Sequence, residues 1–287
     1  MNEIDDDSPY EMIIEAHPKG LGLDLKSLFH YRDLLWLMVR RDLVLKYKQT
    51  FLGPLWVVLQ PLLVTLVFSV VFARIVRVPT GGVPAVLFYL SSLLPWLYFS
   101  QSFNAISVSL LEQAPLFGKV YFPRLIVPIS LVLSHLITFL IQLLVFSGVY
   151  FLFKEGIVGG ENPLSLSLGG LPFLLLQTAS LSLGVGLLFS AVTVKYRDLK
   201  NLLGILTQIW LYATPVIYPL SIVPEKWKWL MAINPMAWII ETYRHVFLGL
   251  NTLHLGLGIL SILMTLLILA AGIIAFQKVE RTFVDTV

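Results

Sequence analysis

Long apolar runs alternate with short polar ones along most of the chain. Six runs reach or approach the roughly 20 residues needed to cross about 30 Å of hydrocarbon: Pro54–Ala73, Pro84–Ile106, Leu125–Phe153, Gly169–Val194, Leu202–Pro219 and Leu253–Phe276. The third is long enough to tilt or to extend past the hydrocarbon. The fifth is short and carries Gln208. The runs are continuously apolar rather than alternating, which predicts helices rather than barrel strands.

One stretch departs from this rhythm. Residues 214–235, "TPVIYPLSIVPEKWKWLMAINP", combine four prolines, three charges, two tryptophans and a tyrosine. The apolar run after it, Trp229 to Ile240, would make a helix of only about 18 Å at 1.5 Å per residue, and Asn234-Pro235 interrupts it. A charge at the bilayer centre costs at least about 2.5–3.5 kcal/mol. Glu225, Lys226, Lys228, Glu241 and Arg244 therefore belong near an interface or a water-filled cavity. The pattern predicts a hairpin of two short helices over about 222–250, broken near Asn234-Pro235, that dips in and returns. Broken backbone at such depth is tolerated only against protein or water.

Before the first run, residues 25–48, "LKSLFHYRDLLWLMVRRDLVLKYK", read as a moderately amphipathic helix. Lys26, Asp33, Arg40, Arg41 and Lys48 share one arc, and Tyr31, Leu34, Leu35, Met38 and Leu45 another. A helix lying in the membrane interface fits this pattern; a plain basic flank that fixes topology is the simpler alternative. The chain thus divides into a polar tail (1–24), an interfacial helix (25–50) and a six-span unit (51–287). The fold class is an all-α integral membrane protein with the hairpin between the fifth and sixth spans.

Composition agrees. Of 287 residues, 57% are hydrophobic and only 13% charged, against about 25% charged in soluble domains. No stretch leaves room for a sizeable soluble domain. The acidic, polar start is not a cleavable signal peptide. Placing both ends in the cytoplasm leaves only Arg74, Arg77, Lys154, Lys226, Lys228 and Arg244 outside, of 20 basic residues. That positive-inside bias sets the orientation, with Arg74 and Arg77 as a local exception, and puts the hairpin on the outer side. The net charge of +3 is too small to suggest nucleic acid.

Several chemistries lack their residues. No G-x-x-x-x-G-K-[ST] loop exists to hold ATP phosphates, since Gly118-Lys119 is followed by Val120. There is no H-E-x-x-H or G-x-S-x-G, and cysteine is absent. The five histidines, His17, His30, His135, His245 and His254, have no metal-ligand spacing. No catalytic set, metal site or cofactor is expected in this chain. Acidic residues do not line the spans as a proton relay would require. Gln60, Gln142, Gln177 and Gln208 fit either a polar path or interhelical hydrogen bonds.

Four stretches carry a resemblance: "RRDLVLKYKQTFLGPLWVVLQP" (40–61), "LFGKVYFPRLIVP" (116–128), "VKYRDLKNLLGILTQIWLYATPVIYP" (194–219) and "VPEKWKWLMAINPMAWIIETYRHVFLG" (223–249). Together they resemble the membrane subunit of type-2 ABC exporters of polysaccharides, the O-antigen (Wzm-like), teichoic acid and capsule permeases. The resemblance runs from about residue 25 to near the end. It implies a homodimer that binds two copies of a separate ATP-binding cassette ATPase, which would hold the ATP and Mg. It implies export of a lipid-linked glycan across the bacterial cytoplasmic (inner) membrane, through a channel between the two permease copies. O-antigen is the expected cargo, with teichoic acid or capsule as alternatives. A drug or lipid exporter, or a membrane enzyme acting on lipid-linked sugars, is the competing class; the enzyme would need clustered acid, base or metal-ligand residues.

On that resemblance, a coupling helix at about 107–122 would seat in the ATPase through Leu110, Leu111, Glu112, Gln113, Phe117 and Lys119, unless the loop is only a connection. "KYRDLK" (195–200) is a second contact or a plain turn. Arg40, Arg41, Lys46 and Lys48 would meet lipid headgroups, including those of the carrier, or merely anchor the interface; each such basic residue contributes about 1 kcal/mol at an anionic surface. Tyr89, Trp96, Tyr98, Phe99, Trp210, Tyr212 and Tyr218 would offer ring faces to sugars in the channel. Trp227, Trp229, Trp238, Glu241 and Arg244 would shape the exit hairpin. Interfacial anchoring explains aromatic belts equally well, and Glu241 and Arg244 fit mutual pairing as well as sugar hydroxyls.

Overall fold

The computed structural model describes residues 29–48, 51–117, 122–153, 168–250 and 255–283. The expected 1–24 tail and Lys119 lie outside them. The described residues form helices and turns, with no strand.

Helix α1 (Arg32–Tyr47) precedes the first long apolar helix. α2 (Trp56–Phe68) starts from a 3-10 turn at Gly53–Leu55 and continues as a π-helical stretch, Ser69–Ile75. α3 (Ala85–Ser107) follows, then two single turns, α4 (Ser109–Glu112) and α5 (Ala114–Phe117). α6 (Ile126–Phe153), α7 (Leu171–Lys195) and α8 (Leu199–Tyr212) come next. α9 (Glu225–Ile233) and α10 (Pro235–Leu248) form the broken pair, and α11 (Leu255–Phe283) closes the described chain.

Among the described residues, four helices are long and apolar enough to cross a membrane: Gly53–Ile75, Ile126–Phe153, Leu171–Lys195 and Gly256–Glu280. The second expected run is α3, equally long but broken up by serines. The fifth differs from expectation: α8 stops at Tyr212, and 213–218 turn instead of continuing to Pro219. Pro215 and Pro219 explain the stop, because each lacks an N–H and restricts the residue before it. At 14 residues, α8 is about 21 Å long by rise alone.

α3 is the centre of the bundle. It packs against α2, α6, α7, α8 and α10. Seventeen of its residues are buried, including Leu87, Phe88, Tyr89, Leu94, Phe99 and Phe103. Its serines would be costly in such surroundings without partners. Ser91, Ser100 and Ser107 donate back to carbonyls three or four residues earlier, the hydroxyl habit that lets polar residues live in an apolar helix. α6 does the same with Ser130, Ser134 and Thr138.

α1 lies against the start of α6. Tyr31, Leu34, Leu35 and Met38 pack with Phe122, Ile126 and Val127, the face the periodicity marked out. Leu45 does not join them; it is exposed, with Trp36, Leu37 and Val44.

The closest helix approach is between α7 and α11. A Cβ on Gly184 would stand 2.7 Å from the Leu269 Cα, and one on Gly272 would collide with the Gly184 carbonyl. Without apolar transfer to drive helices together in lipid, such close backbone contact is what association relies on. Overpacking typically costs ~1–3 kcal/mol, so Gly184→Leu and Gly272→Leu should each lower the thermal unfolding midpoint of the purified chain clearly. Gly148→Ala, whose Cβ meets nothing within 4 Å, should leave it unchanged or raise it slightly. Equal midpoints for all three would show that the contact is not tight.

Candidate functional site

The two ends of α3 carry the features that matter. At its first turns sits a guanidinium with no exposed surface. Arg244 of α10 lies 4.1 Å above the Phe88 ring centroid. Its Nη1 donates to Glu241 Oε1 at 2.8 Å and to the Tyr218 carbonyl at 3.1 Å; Nη2 donates to the Val216 carbonyl at 2.6 Å. Glu241 also accepts the Leu220 N–H at 3.2 Å, and Ser92 of α3 donates to the Val216 carbonyl at 3.0 Å. A buried ion pair holds only when its other hydrogen bonds are made. Here the reversal at 213–219 supplies carbonyls to both Nη groups, because its backbone has left the helix, while the buried Nε has no hydrogen-bond partner.

Asn234 fastens the other side of the same reversal. Its Nδ2 donates to Thr214 Oγ1 at 2.9 Å, and its Oδ1 accepts from Trp210 Nε1 at 3.3 Å. The same Oδ1 accepts the Met236 N–H at 3.1 Å. Asn at the N-cap with Pro at the first helical position is a preferred helix start. The break expected near Asn234-Pro235 is therefore a capped start tied to the neighbouring turn. α10 is buried over most of its surface and ends on Gly249 at φ 67°, the left-handed cap glycine favours. In α9 only Met231 is buried; Trp227 and Trp229 stand 49% and 58% exposed.

These positions bear on the residues expected to shape the hairpin. Of the two readings left open for Glu241 and Arg244, the structure shows the mutual pair, at 2.8 Å inside the chain. Trp238 is half-buried against Gly258. The aromatic cluster is corrected: Tyr89, Trp96, Tyr98 and Phe99 are enclosed within the bundle. Trp210 packs edge-on to Phe99 at 4.9 Å. Tyr218 is half-buried and donates to the Tyr212 carbonyl. Of the seven, Tyr212 alone is largely exposed.

The four glutamines separate into two pairs. Gln142 donates to the Val57 carbonyl at 3.1 Å and Gln177 to Ser261 Oγ at 2.9 Å, joining α6 to α2 and α7 to α11. Gln60 and Gln208 are exposed. Gln60 shares an open stripe of α2 with Trp56, Leu63 and Val67; Gln208 shares one of α8 with Asn201, Gly204 and Tyr212.

Beyond the last turn of α3, Lys200 Nζ at the start of α8 meets Glu112 Oε1 at 2.8 Å. This joins the two polar loops, 107–122 and 195–200, a link that spacing alone could not reveal. Leu110 is buried within the chain, which corrects its assignment to a partner surface; Glu112 and Pro115 are exposed, and Leu111, Gln113 and Phe117 are half-buried. At the same end, Arg124 donates to the Glu280 carbonyl at 3.0 Å and covers Phe117. Among the α1 cations, Arg40 and Lys48 are exposed, Arg41 pairs with Asp42 at 2.8 Å, and Lys46 reaches Gln101 at 3.3 Å.

The family described as ABC-2 type transporter matches residues 33–248. The chain is 28% identical over 259 residues to "O-antigen export system permease protein RfbA" of Klebsiella pneumoniae, covering 90% of this chain and 96% of that protein. It is 30% identical over 225 residues to the protein of the same name from Myxococcus xanthus, covering 78% and 83%. It is 24% identical over 253 residues to "Polysialic acid transport protein KpsM" of Escherichia coli, covering 86% and 93%.

Removing one partner of a buried, hydrogen-bonded ion pair costs ~3–5 kcal/mol. Arg244→Met should therefore depress the unfolding midpoint strongly, since Glu241 and two carbonyls lose their donor. Arg244→Met with Glu241→Met should recover part of the loss, because no lone charge remains. Thermal unfolding of the purified variants checks the order; a double variant worse than Arg244→Met would show that the pair is not the unit.

Proposed function

The chain belongs to the ABC-2 type transporter family, and from that membership we propose that it is the membrane permease of an ATP-driven exporter of lipid-linked polysaccharide, of O-antigen type. The observation that carries the reading is the likeness to O-antigen export permeases over nearly the whole chain. Likeness to a polysialic acid transport protein supports a polysaccharide cargo in general and keeps capsular glycan as the alternative.

As an integral membrane protein, the chain places its four long apolar helices across the bilayer. The finer reading adds α3 and α8 to make six crossings, with both ends in the cytoplasm. The reversal at 213–219 and the α9–α10 pair then lie on the outer side as a re-entrant hairpin, and α1 lies along the inner surface. The loops joined by Glu112 and Lys200 face the cytoplasm, where a separate ATPase subunit binds, with ATP and Mg held in that subunit. Glu112, Pro115, Leu111, Gln113 and Phe117 supply the contact surface.

Two copies of the chain form the passage. α2 and α8 both present open surface, and each exposes an amide beside aromatic and aliphatic groups. An amide can exchange hydrogen bonds with successive sugar hydroxyls without holding any of them. Tyr212, Trp227 and Trp229, exposed near the outer end, offer ring faces to the apolar faces of sugars as they leave. Arg40 and Lys48 meet anionic headgroups at the inner surface.

The chain should co-purify with an ATP-binding cassette subunit as a two-plus-two complex with ATPase activity in lipid nanodiscs. Glu112→Lys should weaken that complex. Adding Lys200→Glu restores the intrachain pair with its charges exchanged; if Glu112 itself contacts the ATPase, the complex stays weak. Full recovery would reduce Glu112 to an internal tie. A chain that purifies alone and binds no such subunit would overturn the exporter reading.

A further inference from the structure

A cavity of about 190 Å³ opens between α1, α3 and α6, lined by Asp42, Leu43, Lys46, Ala105, Leu131, Ser134, His135 and Thr138. It is far larger than the ~10–15 Å³ that one water requires. Its chemistry is lopsided. Ser134 Oγ donates its proton to the Ser130 carbonyl at 2.8 Å, and Thr138 Oγ1 donates to the Ser134 carbonyl at 3.2 Å. A hydroxyl has one proton and two lone pairs, so the oxygens of these two lining residues keep the chemistry of acceptors. Asp42 uses Oδ1 for Arg41, while its buried Oδ2 has no hydrogen-bond partner, and neither has the buried His135 Nδ1. The interior thus offers carboxylate and hydroxyl acceptors. One cation, Lys46, completes the lining, and its ammonium reaches Gln101 at 3.3 Å.

We propose that this cavity is a headgroup site for a phospholipid bearing a primary ammonium, of the phosphatidylethanolamine type, with the ammonium on Asp42, Ser134 and Thr138 and the phosphate on Lys46. An –NH₃⁺ group presents three N–H donors to a wall of acceptors, and the phosphate two carbons away needs a cation. The diphosphate of a glycan carrier is a poorer occupant, because Asp42 would oppose its charge. A trimethylated ammonium matches the charge but has no N–H to give. The location suits a membrane lipid: α1 exposes Trp36, Leu37, Val44 and Leu45 beside Arg40 and Lys48, as a helix in a headgroup layer does. The assignment to the inner leaflet rests on the exporter reading. A lipid seated here would wedge α1 to the ends of α3 and α6 and fix where the interfacial helix lies.

Native mass spectrometry of the delipidated full-length chain, titrated with dioleoyl phosphatidylethanolamine, phosphatidylcholine or phosphatidylglycerol, tests the site. The primary amine lipid should be retained about tenfold more tightly than the other two, as expected for charge-assisted hydrogen bonds. Asp42→Asn should erase that preference. Thr138→Val, which keeps the volume and removes one acceptor, should reduce it even if Asp42→Asn folds poorly. Equal retention of phosphatidylcholine, or an undiminished preference in both variants, would overturn the proposal. Displacement by free phosphoethanolamine at the lipid's own concentration would overturn the lipid assignment. Because retention is read without ATPase or cargo, selective binding by a chain that recruits no ATPase would sink the exporter reading and leave the site standing.

Discussion

Arg244 is the residue on which the upper half of the bundle depends. A guanidinium has five N–H donors and no uncharged form to fall back on, so a fully enclosed one dictates what surrounds it. Here it demands a carboxylate, which Glu241 supplies one turn earlier, and free carbonyls, which only a chain that has left its helix can supply. The early end of α8 and the burial of α10 are thus two sides of one requirement. Phe88 covers the open face of the guanidinium, and Ser92 shares the Val216 carbonyl. Central helix, reversal and buried hairpin limb are all referenced to one side chain.

The same accounting runs through the rest of the molecule. In lipid no water stands ready to satisfy a stray donor, so each polar group must find its partner within the protein. Ser91 and Ser107 of α3, Ser130 and Ser134 of α6, and Thr178 and Thr193 of α7 turn onto their own helices, while Ser102 and Ser190 are buried without a partner. Gln142 and Gln177 bridge between helices, and Asn234 serves the cap of α10 and the turn beside it together. Against this background the exposed amides Gln60 and Gln208 are conspicuous. They stand on open helix faces, whereas Gln142 and Gln177 are buried between helices.

Much of this was legible in the sequence, and the limits follow from physics. Apolar run length set the positions of α2, α3, α6 and α7 and the start of α11 within a few residues, because burial in lipid leaves a helix few ways to be polar; α11 itself runs on past Phe276 to Phe283. The break at Asn234-Pro235 was visible because proline cannot continue a helix and asparagine caps the next one. The end of α8 was misplaced: an apolar run through Pro215 looks continuous in hydropathy, while its geometry depends on a partner 28 residues later. Side-chain direction was the weakest point. Aromatic residues at Tyr89, Trp96, Tyr98 and Phe99 read the same whether they face a channel or a core, and only the five helices around α3 decide it. Glutamine spacing could not separate interhelical bonds from open faces for the same reason. The Glu112–Lys200 link joins residues 88 apart and leaves no local trace.

The bare backbone contact between Gly184 and Gly272 has a mechanical consequence. Two helices touching main chain to main chain have no side chains between them to rotate or slide, so α7 and α11 form a stiff slab. α3, locked to α7 through the contact of Gly186 with Ile106, joins the same slab. Compliance must then reside in the elements hinged at its edges: α2 with its loosened π-wound end, and α8 with its turn. A load applied at the loops near Glu112 and Lys200 would leave the slab unbent and appear as displacement at those two edges.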